Sequence, residues 1–286
     1  MIQFNSPLRY PGGKHKLAQF IAAICLKNNI NGHYVEPYAG GAAISLYLLF
    51  YGYVKEITIN DLDRSVFAFW HSILNHNKKF CNRIRNTDVT LENWDRFRVV
   101  QTRKEIASIF ELGFSTFFLN RTNRSGIISG GVIGGRNQDS DYTIGCRFNK
   151  DELIQRIQRI GKFKDKIHLF NLDAMNLVKK IQDKHKDENM IFYFDPPYYM
   201  KGPSLYLDHY EKSNHGEVAR NIQKIKGSKW ITSYDNAPEI KNIYNDCIKK
   251  EYSLFHTAYR KRKSREVLFF SKNLNSDVPL EQLLTR

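Results

Sequence analysis

Cysteine is scarce in this sequence, and the placement of the few cysteines argues against two kinds of site. The 286 residues include four cysteines, which lie far apart and form no C-x-x-C pair, and no histidine stands at the spacing of metal ligands. A disulfide framework or a zinc site needs cysteines that are grouped with one another or with histidines. We therefore expect neither disulfide bonds nor a bound metal.

Long apolar runs are missing as well. The sequence has no stretch of about 18 apolar residues and no basic amphipathic helix with an exposed apolar face, so no attachment to a membrane is predicted. The first residues, MIQFN, lack the charged start and the apolar core of a signal peptide. No internal repeat or low-complexity tract is present. We expect a globular protein in a reducing cytoplasm.

Negative charge is in short supply relative to positive charge. Lysine and arginine number 44 against 29 aspartates and glutamates, which gives a net charge of +15. An excess of this size favours a polyanionic partner, and nucleic acid is the first candidate. With 42% hydrophobic residues, the chain can bury a core as one large domain or as a core domain with a smaller inserted one.

The apolar run MIFYF at residues 190–194 stops abruptly at the sequence DPPY, residues 195–198. It predicts a buried strand that ends by Asp195, because proline cannot donate a hydrogen bond to a β-ladder. In an open parallel sheet, ligands bind beyond the carboxyl ends of the strands. The Asp195 carboxylate and the Pro196 carbonyl can accept hydrogens from an exocyclic amine, and Tyr198 can stack on a base that has left the helix. The alternative is a strand followed by an ordinary proline-rich turn.

Two more segments place a strand before a possible ligand loop. Residues 33–42, HYVEPYAGGA, predict a strand, a small-residue turn and the start of a helix, although the spacing is not G-x-G-x-x-G. Residues 56–63, EITINDLD, predict a second strand that ends in acids, of which Asp61 is the better candidate for binding ribose hydroxyls. Asp63 instead suits the N-cap of a helix that begins near Arg64.

A glycine-rich loop, YPGGK at residues 10–14, leads into a helical pattern. Lys14 stands at the start of that helix, where a cation opposes the helix dipole. An anionic ligand group would explain its position. The alternative is an ordinary turn with a solvated lysine.

Four motifs in this order resemble those of the Dam-type, D12-class DNA adenine-N6 methyltransferases: YPGGK (10–14), VEPYAGG (35–41), ND (60–61) and DPPY (195–198). The resemblance extends over nearly the whole chain. It implies an α/β fold dependent on S-adenosylmethionine, with a Rossmann-like, mostly parallel seven-stranded sheet. It also implies a catalytic methyltransferase domain of residues 1–63 and 166–286, with a mainly helical target-recognition domain inserted at residues 64–165.

The resemblance further implies a site-specific enzyme that moves the methyl group of S-adenosylmethionine to N6 of a flipped-out adenine in double-stranded DNA, leaving S-adenosylhomocysteine. The implied catalytic residues are Asp195, Pro196 and Tyr198. The implied cofactor-binding residues are Tyr10, Lys14, Glu36, Pro37, Ala39, Gly40, Gly41, Asp61, Asp173 and Asp195. Asp173 follows another predicted strand, and its alternative role is a helix N-cap.

The predicted DNA-binding residues are Asn120, Arg121, Asn123, Arg124, Arg136, Arg260, Lys261 and Arg262. The first of them open the sequence NRT, which resembles a motif of the family, while the glycine-rich sequence that follows departs from the GATC-modifying members. Glycine permits close approach of the backbone, and arginine offers two donors to guanine. We assign Arg124 and Arg136 to base contacts, and the basic tip of a predicted C-terminal hairpin, residues 260–265, to phosphates. Mobile or solvated surface loops are the alternative for both.

Three other functions are compatible with parts of this pattern. A catalytically silent DNA-binding relative would share the charge and the insertion, and a cytosine-N4 methyltransferase would generally carry serine in place of Asp195. Protein-glutamine methyltransferases would share the cofactor fold, but they carry the sequence Asn-Pro-Pro-Tyr in place of Asp-Pro-Pro-Tyr and lack the Lys14 loop. The predicted partners are double-stranded DNA and a cognate restriction endonuclease, in a bacterial, archaeal or phage-encoded setting, and the protein is predicted to be a monomer or a weak dimer.

Overall fold

The computed structural model of the chain describes residues 5–9, 14–184, 189–197, 199, 212–256 and 262–284, and gives only the backbone of residues 184, 212–214, 254–256, 262–264 and 282. The chain divides into two units. The first comprises Met1–Phe4, Lys14–Leu62 and Lys166–Arg286, and the second comprises Asn5–Gly13 and Asp63–Asp165. That the second unit recognises a DNA target stays a prediction.

A seven-stranded sheet lies in the first unit. Its strands are β1 (His33–Glu36), β2 (Glu56–Asn60), β3 (Ile167–Phe170), β4 (Met190–Phe194), β5 (Lys229–Asp235), β6 (Ile248–His256) and β7 (Arg262–Phe270). They are arranged in the order β3-β2-β1-β4-β5-β7-β6. The pairings from β3 to β5 are parallel, and β7 pairs antiparallel with both β5 and β6. The predicted α/β fold with a mostly parallel sheet is confirmed.

The helices alternate with the strands in the first unit and follow one another in the second. They are α1 (Ala18–Lys27), α2 (Ala43–Phe50), α3 (Arg64–Asn75), α4 (Asn77–Asn86), α5 (Leu91–Thr102), α6 (Ile109–Thr122), α7 (Lys150–Lys162), α8 (Ala174–Lys184), α9 (Lys212–Gln223), α10 (Pro238–Ile243) and α11 (Leu280–Leu284). Short 3-10 turns lie at His15–Leu17, Arg124–Gly126 and Lys164–Lys166. Helices α3 to α7 belong to the second unit.

Strand β4 lies inside the sheet, and all five of its residues are buried. A parallel strand covered on both faces needs no polar alternation, which is why its sequence is a continuous apolar run. On one face of the sheet, Phe192 and Phe194 share a core with Leu177 of α8 and Ile222 of α9. On the other face, Phe20 of α1 meets the edge of a β7 ring, with 6.3 Å between the ring centroids. The sheet is therefore enclosed between layers of helices.

The second unit has an aromatic core of its own. Phe69 of α3 stacks on Phe117 of α6, with 6.0 Å between centroids, and Phe80 of α4 meets the edge of each ring. Helices α3 and α6 approach closely at Gly113, where a Cβ atom would lie 2.3 Å from the Ala68 carbonyl oxygen. A side chain at position 113 would force these helices apart.

The described residues contain neither a membrane-spanning helix nor a cluster of metal ligands. No helix among them is long and apolar enough to cross a membrane. No group of three or more histidine, cysteine, aspartate or glutamate side chains in this part of the chain could hold a metal ion.

Candidate active site

The predicted catalytic and cofactor loops lie at one edge of the sheet. Successive strands extend outward from β1 on one side and from β4 on the other, so the order of the strands reverses between these two neighbours. Val35 of β1 pairs with Phe192 of β4 in parallel register. The loops that follow them, residues 37–42 and 195–197, therefore start side by side. Open α/β sheets bind ligands at such a switch point.

Asp195 directly follows β4, and its side chain is 23% exposed. Ser233 Oγ on the adjacent strand β5 donates to Asp195 Oδ1 at 2.6 Å, and Lys14 Nζ lies 3.4 Å from the same oxygen. Both contacts fall on Oδ1, and none of the described residues donates a hydrogen bond to Oδ2. The second carboxylate oxygen can therefore serve as an acceptor for a ligand.

The environment of Asp195 combines burial with a compensating cation. Burial raises the pKa of the Asp195 carboxyl, while the charge of Lys14 and the hydrogen bond from Ser233 lower it. Lys14 thus favours the ionised form that can accept hydrogen bonds. Next along the chain, no donor among the described residues contacts the carbonyl of Pro196. Tyr198 lies outside the described residues.

Lys14 is buried between two carboxylates of the protein. Its Nζ lies 2.7 Å from Glu266 Oε2 on β7 and 3.4 Å from Asp195 Oδ1. Tyr252 on β6 donates to the same Glu266 oxygen at 2.7 Å. The cation expected to need an anionic ligand group is therefore neutralised by acids of the chain. Its contact with a cofactor stays a prediction, as does that of Tyr10, which lies outside the described residues.

The side chain of Asn60 joins three loops at the carboxyl edge of the sheet. It donates to the carbonyls of Pro37 and Leu172 at 2.9 Å each, and it accepts from the Leu172 N–H at 2.9 Å. The backbone N–H of Ala39 donates to the Asn60 carbonyl at 2.8 Å. These bonds hold the ends of β1, β2 and β3 in a fixed relation.

Asp61 lies against the glycine turn. Its Oδ2 accepts from the Gly40 N–H at 2.9 Å, so the two predicted cofactor segments are joined directly. Gly40 has φ +46° and Ala42 has φ +47°, and Gly41 stands between them in the same turn. This tight reversal delivers the chain to α2, which begins without a side-chain cap.

Two other acids predicted to bind the cofactor have partners within the chain. Glu36 is buried and accepts from Ser45 Oγ, and burial raises its pKa to about 8. Asp173 caps α8, because its Oδ1 accepts from the N–H groups of Met175 and Asn176 at 2.9 and 3.2 Å. Asp173 is therefore a helix N-cap, which was the alternative to a cofactor-binding role. Contact of Glu36 or Asp173 with a cofactor stays a prediction. Asp63 likewise caps α3 through the Ser65 N–H at 2.8 Å.

The two asparagines of the predicted DNA-binding segment hold the loop after α6. Asn120 accepts from the Arg9 N–H at 2.7 Å and donates to the Arg9 and Gly126 carbonyls at 2.7 and 2.8 Å. Asn123 accepts from Trp94 Nε1 at 2.6 Å and donates to two carbonyls of residues 127 and 128. Their amide groups are thus engaged within the second unit. A direct contact of either with DNA stays a prediction.

Gly126 fits closely into the same loop. Its φ is +77°, and a Cβ atom at this position would lie 2.1 Å from the Arg9 carbonyl oxygen. Only glycine permits both the backbone angle and this approach.

The predicted arginines differ widely in environment. Arg121 is buried, its Nε donates to the Arg147 carbonyl at 2.8 Å, and burial together with neighbouring guanidiniums lowers its pKa to about 9. Arg136 is exposed and forms a bidentate pair with Asp95 at 2.8 and 2.9 Å.

The remaining basic residues of the prediction are described only in part. Arg124 is exposed. Arg260 and Lys261 lie outside the described residues, and only the backbone of Arg262 is described.

Two residues of this site were not singled out from the sequence. Glu266 and Ser233 lie within strands that contain other polar residues, and no local motif marks either of them. Glu266 contacts a lysine 252 positions away, and Ser233 contacts an aspartate 38 positions away. A single acid at an inward-facing position of a buried strand predicts a cation or a hydrogen-bond donor beside it, because buried acids need a partner.

Comparison with known protein families agrees with the motifs. A sequence model described as D12 class N6 adenine-specific DNA methyltransferase matches residues 10–263. No match is found among curated protein sequences. Among solved structures, the chain is similar to a presumed RNA methyltransferase from Pyrococcus horikoshii at 11% identity, with a TM-score of 0.38, over 89% of this chain and 81% of that one. The family match spans nearly the whole chain, and the chain belongs to the D12 class of N6 adenine-specific DNA methyltransferases.

Proposed function

We propose that the protein is a site-specific DNA adenine-N6 methyltransferase that acts on a flipped-out adenine in double-stranded DNA. The observation that carries the proposal is the arrangement of Asp195. Its Oδ1 is held by Ser233 and Lys14, while its Oδ2 has no donor among the described residues. With the Pro196 carbonyl next to it, the loop offers two acceptors to the two hydrogens of an exocyclic amine.

The residues at the neighbouring strand ends fit S-adenosylmethionine, the cofactor that the family implies. Asp61 is partly exposed and already bonded to the glycine turn through one oxygen, which suits a carboxylate that also accepts from ribose hydroxyls. The uncapped start of α2 suits a carboxylate group, because its N–H groups carry the positive end of the helix dipole. When bound, S-adenosylmethionine supplies the methyl group.

The chain contributes positioning and electrostatics to the reaction. The N6 amine of adenine is a poor nucleophile because its lone pair is delocalised into the ring. Two acceptors, Asp195 Oδ2 and the Pro196 carbonyl, hold the N6 hydrogens and favour a tetrahedral nitrogen whose lone pair is available. The Asp195 carboxylate then stabilises the positive charge that develops on N6. The reaction as proposed uses no metal ion.

Incubation of the purified protein with S-adenosylmethionine and unmodified duplex DNA tests the proposal. We expect N6-methyladenine after digestion to nucleosides, and sequencing of the treated DNA will give the recognised site. The appearance of N4-methylcytosine instead would replace the adenine assignment. DNA binding without any methylated base would identify a catalytically silent relative.

We predict that Asp61→Ala weakens S-adenosylmethionine binding about 10- to 100-fold, because hydrogen bonds to a charged group contribute about 1.5–3 kcal/mol. Isothermal titration calorimetry measures the loss without any need for activity. Asp63→Ala is the matched control, since this acid stands two positions away and caps α3. Equal affinities for Asp61→Ala and the parent would exclude Asp61 as the ribose ligand.

The second unit supports DNA as the partner through its arginines. Burial lowers the pKa of Arg121, the guanidiniums of Arg9, Arg156 and Arg147 lower it further, and the carboxylate of Glu152 acts in the opposite sense. A group of cations with so little compensating negative charge favours an anion, and DNA phosphates are the anions that this proposal supplies. The exposed pair of Arg136 with Asp95 costs little to break, so it does not prevent a base contact.

We predict that Arg124→Ala relaxes the recognised sequence and weakens binding to the correct site by about 1–3 kcal/mol, the usual value of a two-donor contact with a base. Titrations on matched and scrambled duplexes at several salt concentrations measure both effects. Arg85→Ala, an equal charge change at the end of α4, is expected to keep the preference. If Arg124→Ala keeps full sequence preference, base contacts belong to other residues.

A cognate restriction endonuclease and the oligomeric state remain predictions. Copurification with the product of a neighbouring gene and analytical ultracentrifugation address them separately.

A further inference from the structure

Two buried charges and a partly exposed one lie next to one another at the edge of the sheet. Glu266 Oε2 contacts Lys14 Nζ at 2.7 Å, and Lys14 Nζ lies 3.4 Å from Asp195 Oδ1. The side chains of Glu266 and Lys14 are 1% and 2% exposed. Burying an ammonium and a carboxylate is costly, and a well-packed apolar pair is often as stable or more so. A strand that only needed to pack would more simply continue the apolar pattern of its neighbours on the same face, Leu268 and Phe270.

The position of Glu266 is itself fixed on both sides. It pairs in register with Asp235 at the end of β5 and with Tyr252 on β6. The Tyr252 hydroxyl donates to the same oxygen that contacts Lys14, at 2.7 Å. Because β7 runs antiparallel to β5, this part of β7 lies at the carboxyl edge of the parallel strands, which is the edge that carries Asp195. The acid is thus held beside the lysine and away from solvent.

We propose that Glu266 is a positioning residue for methyl transfer: it holds the Lys14 ammonium against Asp195 Oδ1, so that Oδ2 stays available to the substrate amine. The proposal rests on the function proposed above. Ser233 Oγ, which is itself within 2.9 Å of the Tyr193 hydroxyl, anchors the same Oδ1 from β5. With donors fixed on one oxygen, the carboxylate cannot rotate freely, and its second oxygen keeps one direction.

Glu266 also sets the charge of the site. The two carboxylates and the single ammonium leave one negative charge in excess, which stabilises the positive charge that develops on N6. Burial and Glu266 raise the pKa of Asp195, while Lys14 lowers it, and the charge of Glu36 also interacts with Asp195. Loss of the Glu266 charge therefore lowers the pKa of Asp195 and moves the acid limb of the rate profile to lower pH. A residue that only supported the fold would leave that limb in place.

The test compares Glu266→Gln with the parent protein in steady-state methylation of duplex DNA. We expect kcat to fall about 10- to 100-fold while KM for DNA and the affinity for S-adenosylmethionine change less than about threefold, because misplacement of a catalytic group costs rate rather than binding. Glu251→Gln is the matched control. Its carboxylate also contacts a lysine, Lys241 at 2.6 Å, but on the exposed side of the hairpin. This control is expected to keep the parent rate.

A double-mutant cycle decides whether Glu266 acts through Lys14. In a Lys14→Met background and at a pH above the acid limb, Glu266→Gln should reduce kcat by no more than about twofold further, since the contact it removes is already absent and the site keeps the one negative charge of Asp195. A full additional loss in that background would overturn the proposal, as would an unchanged kcat or an unmoved acid limb in Glu266→Gln alone.

Tyr252→Phe keeps the proposal testable if Glu266→Gln does not fold. It removes one donor to Glu266 and no charge, and we expect a threefold to tenfold lower kcat, roughly the effect of one buried hydrogen bond. If Tyr252→Phe has the same kcat as the parent protein, that result would also contradict the proposal. If the parent protein methylates no adenine, the proposed function has failed. If the parent is active and the Glu266 and Tyr252 variants equal it, only the present inference has failed.

Discussion

Asp195→Ala is expected to lower kcat by about 10²–10³-fold, the usual effect of removing one group that stabilises the charge of a transition state. The variant loses the carboxylate that accepts from N6 and balances its developing positive charge. Binding of S-adenosylmethionine should be largely retained, because the other predicted cofactor contacts come from the loops after β1 and β2. Single-turnover methylation of duplex DNA measures the loss, and calorimetry measures the retained binding.

Asp195→Asn separates charge from shape in the same experiment. The amide has nearly the size of the carboxylate and can accept through one atom, but it carries no charge. A rate as low as that of Asp195→Ala would assign the effect to charge. Retention of more than about a tenth of the parent rate by Asp195→Ala would contradict the role given to this residue, because one such group is worth at least 10²-fold.

Lys14→Met is expected to have the second largest effect. It should change both the free energy of unfolding and the pH dependence of kcat. The variant leaves Asp195 and Glu266 close together without the cation between them, and breaking a buried ion pair in this way costs about 3–5 kcal/mol of unfolding free energy. Lys14 also lowers the pKa of Asp195 against the effect of burial. Without it, Asp195 should be protonated to a higher pH, so kcat falls near neutral pH and recovers in part as the pH rises. Urea unfolding and a pH profile of kcat measure the two effects.

Lys16→Met is the control for this experiment. It makes the same substitution two residues along the chain, at a partly exposed position, and is expected to change the unfolding free energy by less than about 0.5 kcal/mol. A Lys14→Met protein that matches this control in both stability and pH profile would show that the buried cluster has no energetic role.

Local patterns were sufficient to predict the elements that bring the loops together. The run at residues 190–194 identified a buried strand because a central parallel strand is apolar throughout and because proline ends it. The cap at Asp63 follows a rule that spans only a few residues, and the structure shows it. The mostly parallel sheet came from the resemblance, and its strand order is seen only in the structure.

Contacts between distant strands could not be predicted in the same way. Glu266 and Ser233 occupy ordinary strand positions, and their importance depends on which strand lies next to β4. The sequence also gave no indication that the cation of Lys14 would be balanced by two acids of the chain. The asparagines at 120 and 123 were grouped with the arginines because they share a motif, although their amides bond to their own loop.

The cluster of Lys14, Asp195 and Glu266 has a consequence for synthesis of the protein on the ribosome. Lys14 and Glu266 stand 252 positions apart. The nascent chain contains Lys14 before Asp195, and it acquires Glu266 only when β7 has been made. Until then β5 has no antiparallel neighbour, and the ammonium has one of its two carboxylates. The geometry proposed for methyl transfer is therefore completed only after β7 has been synthesised, 252 positions after Lys14.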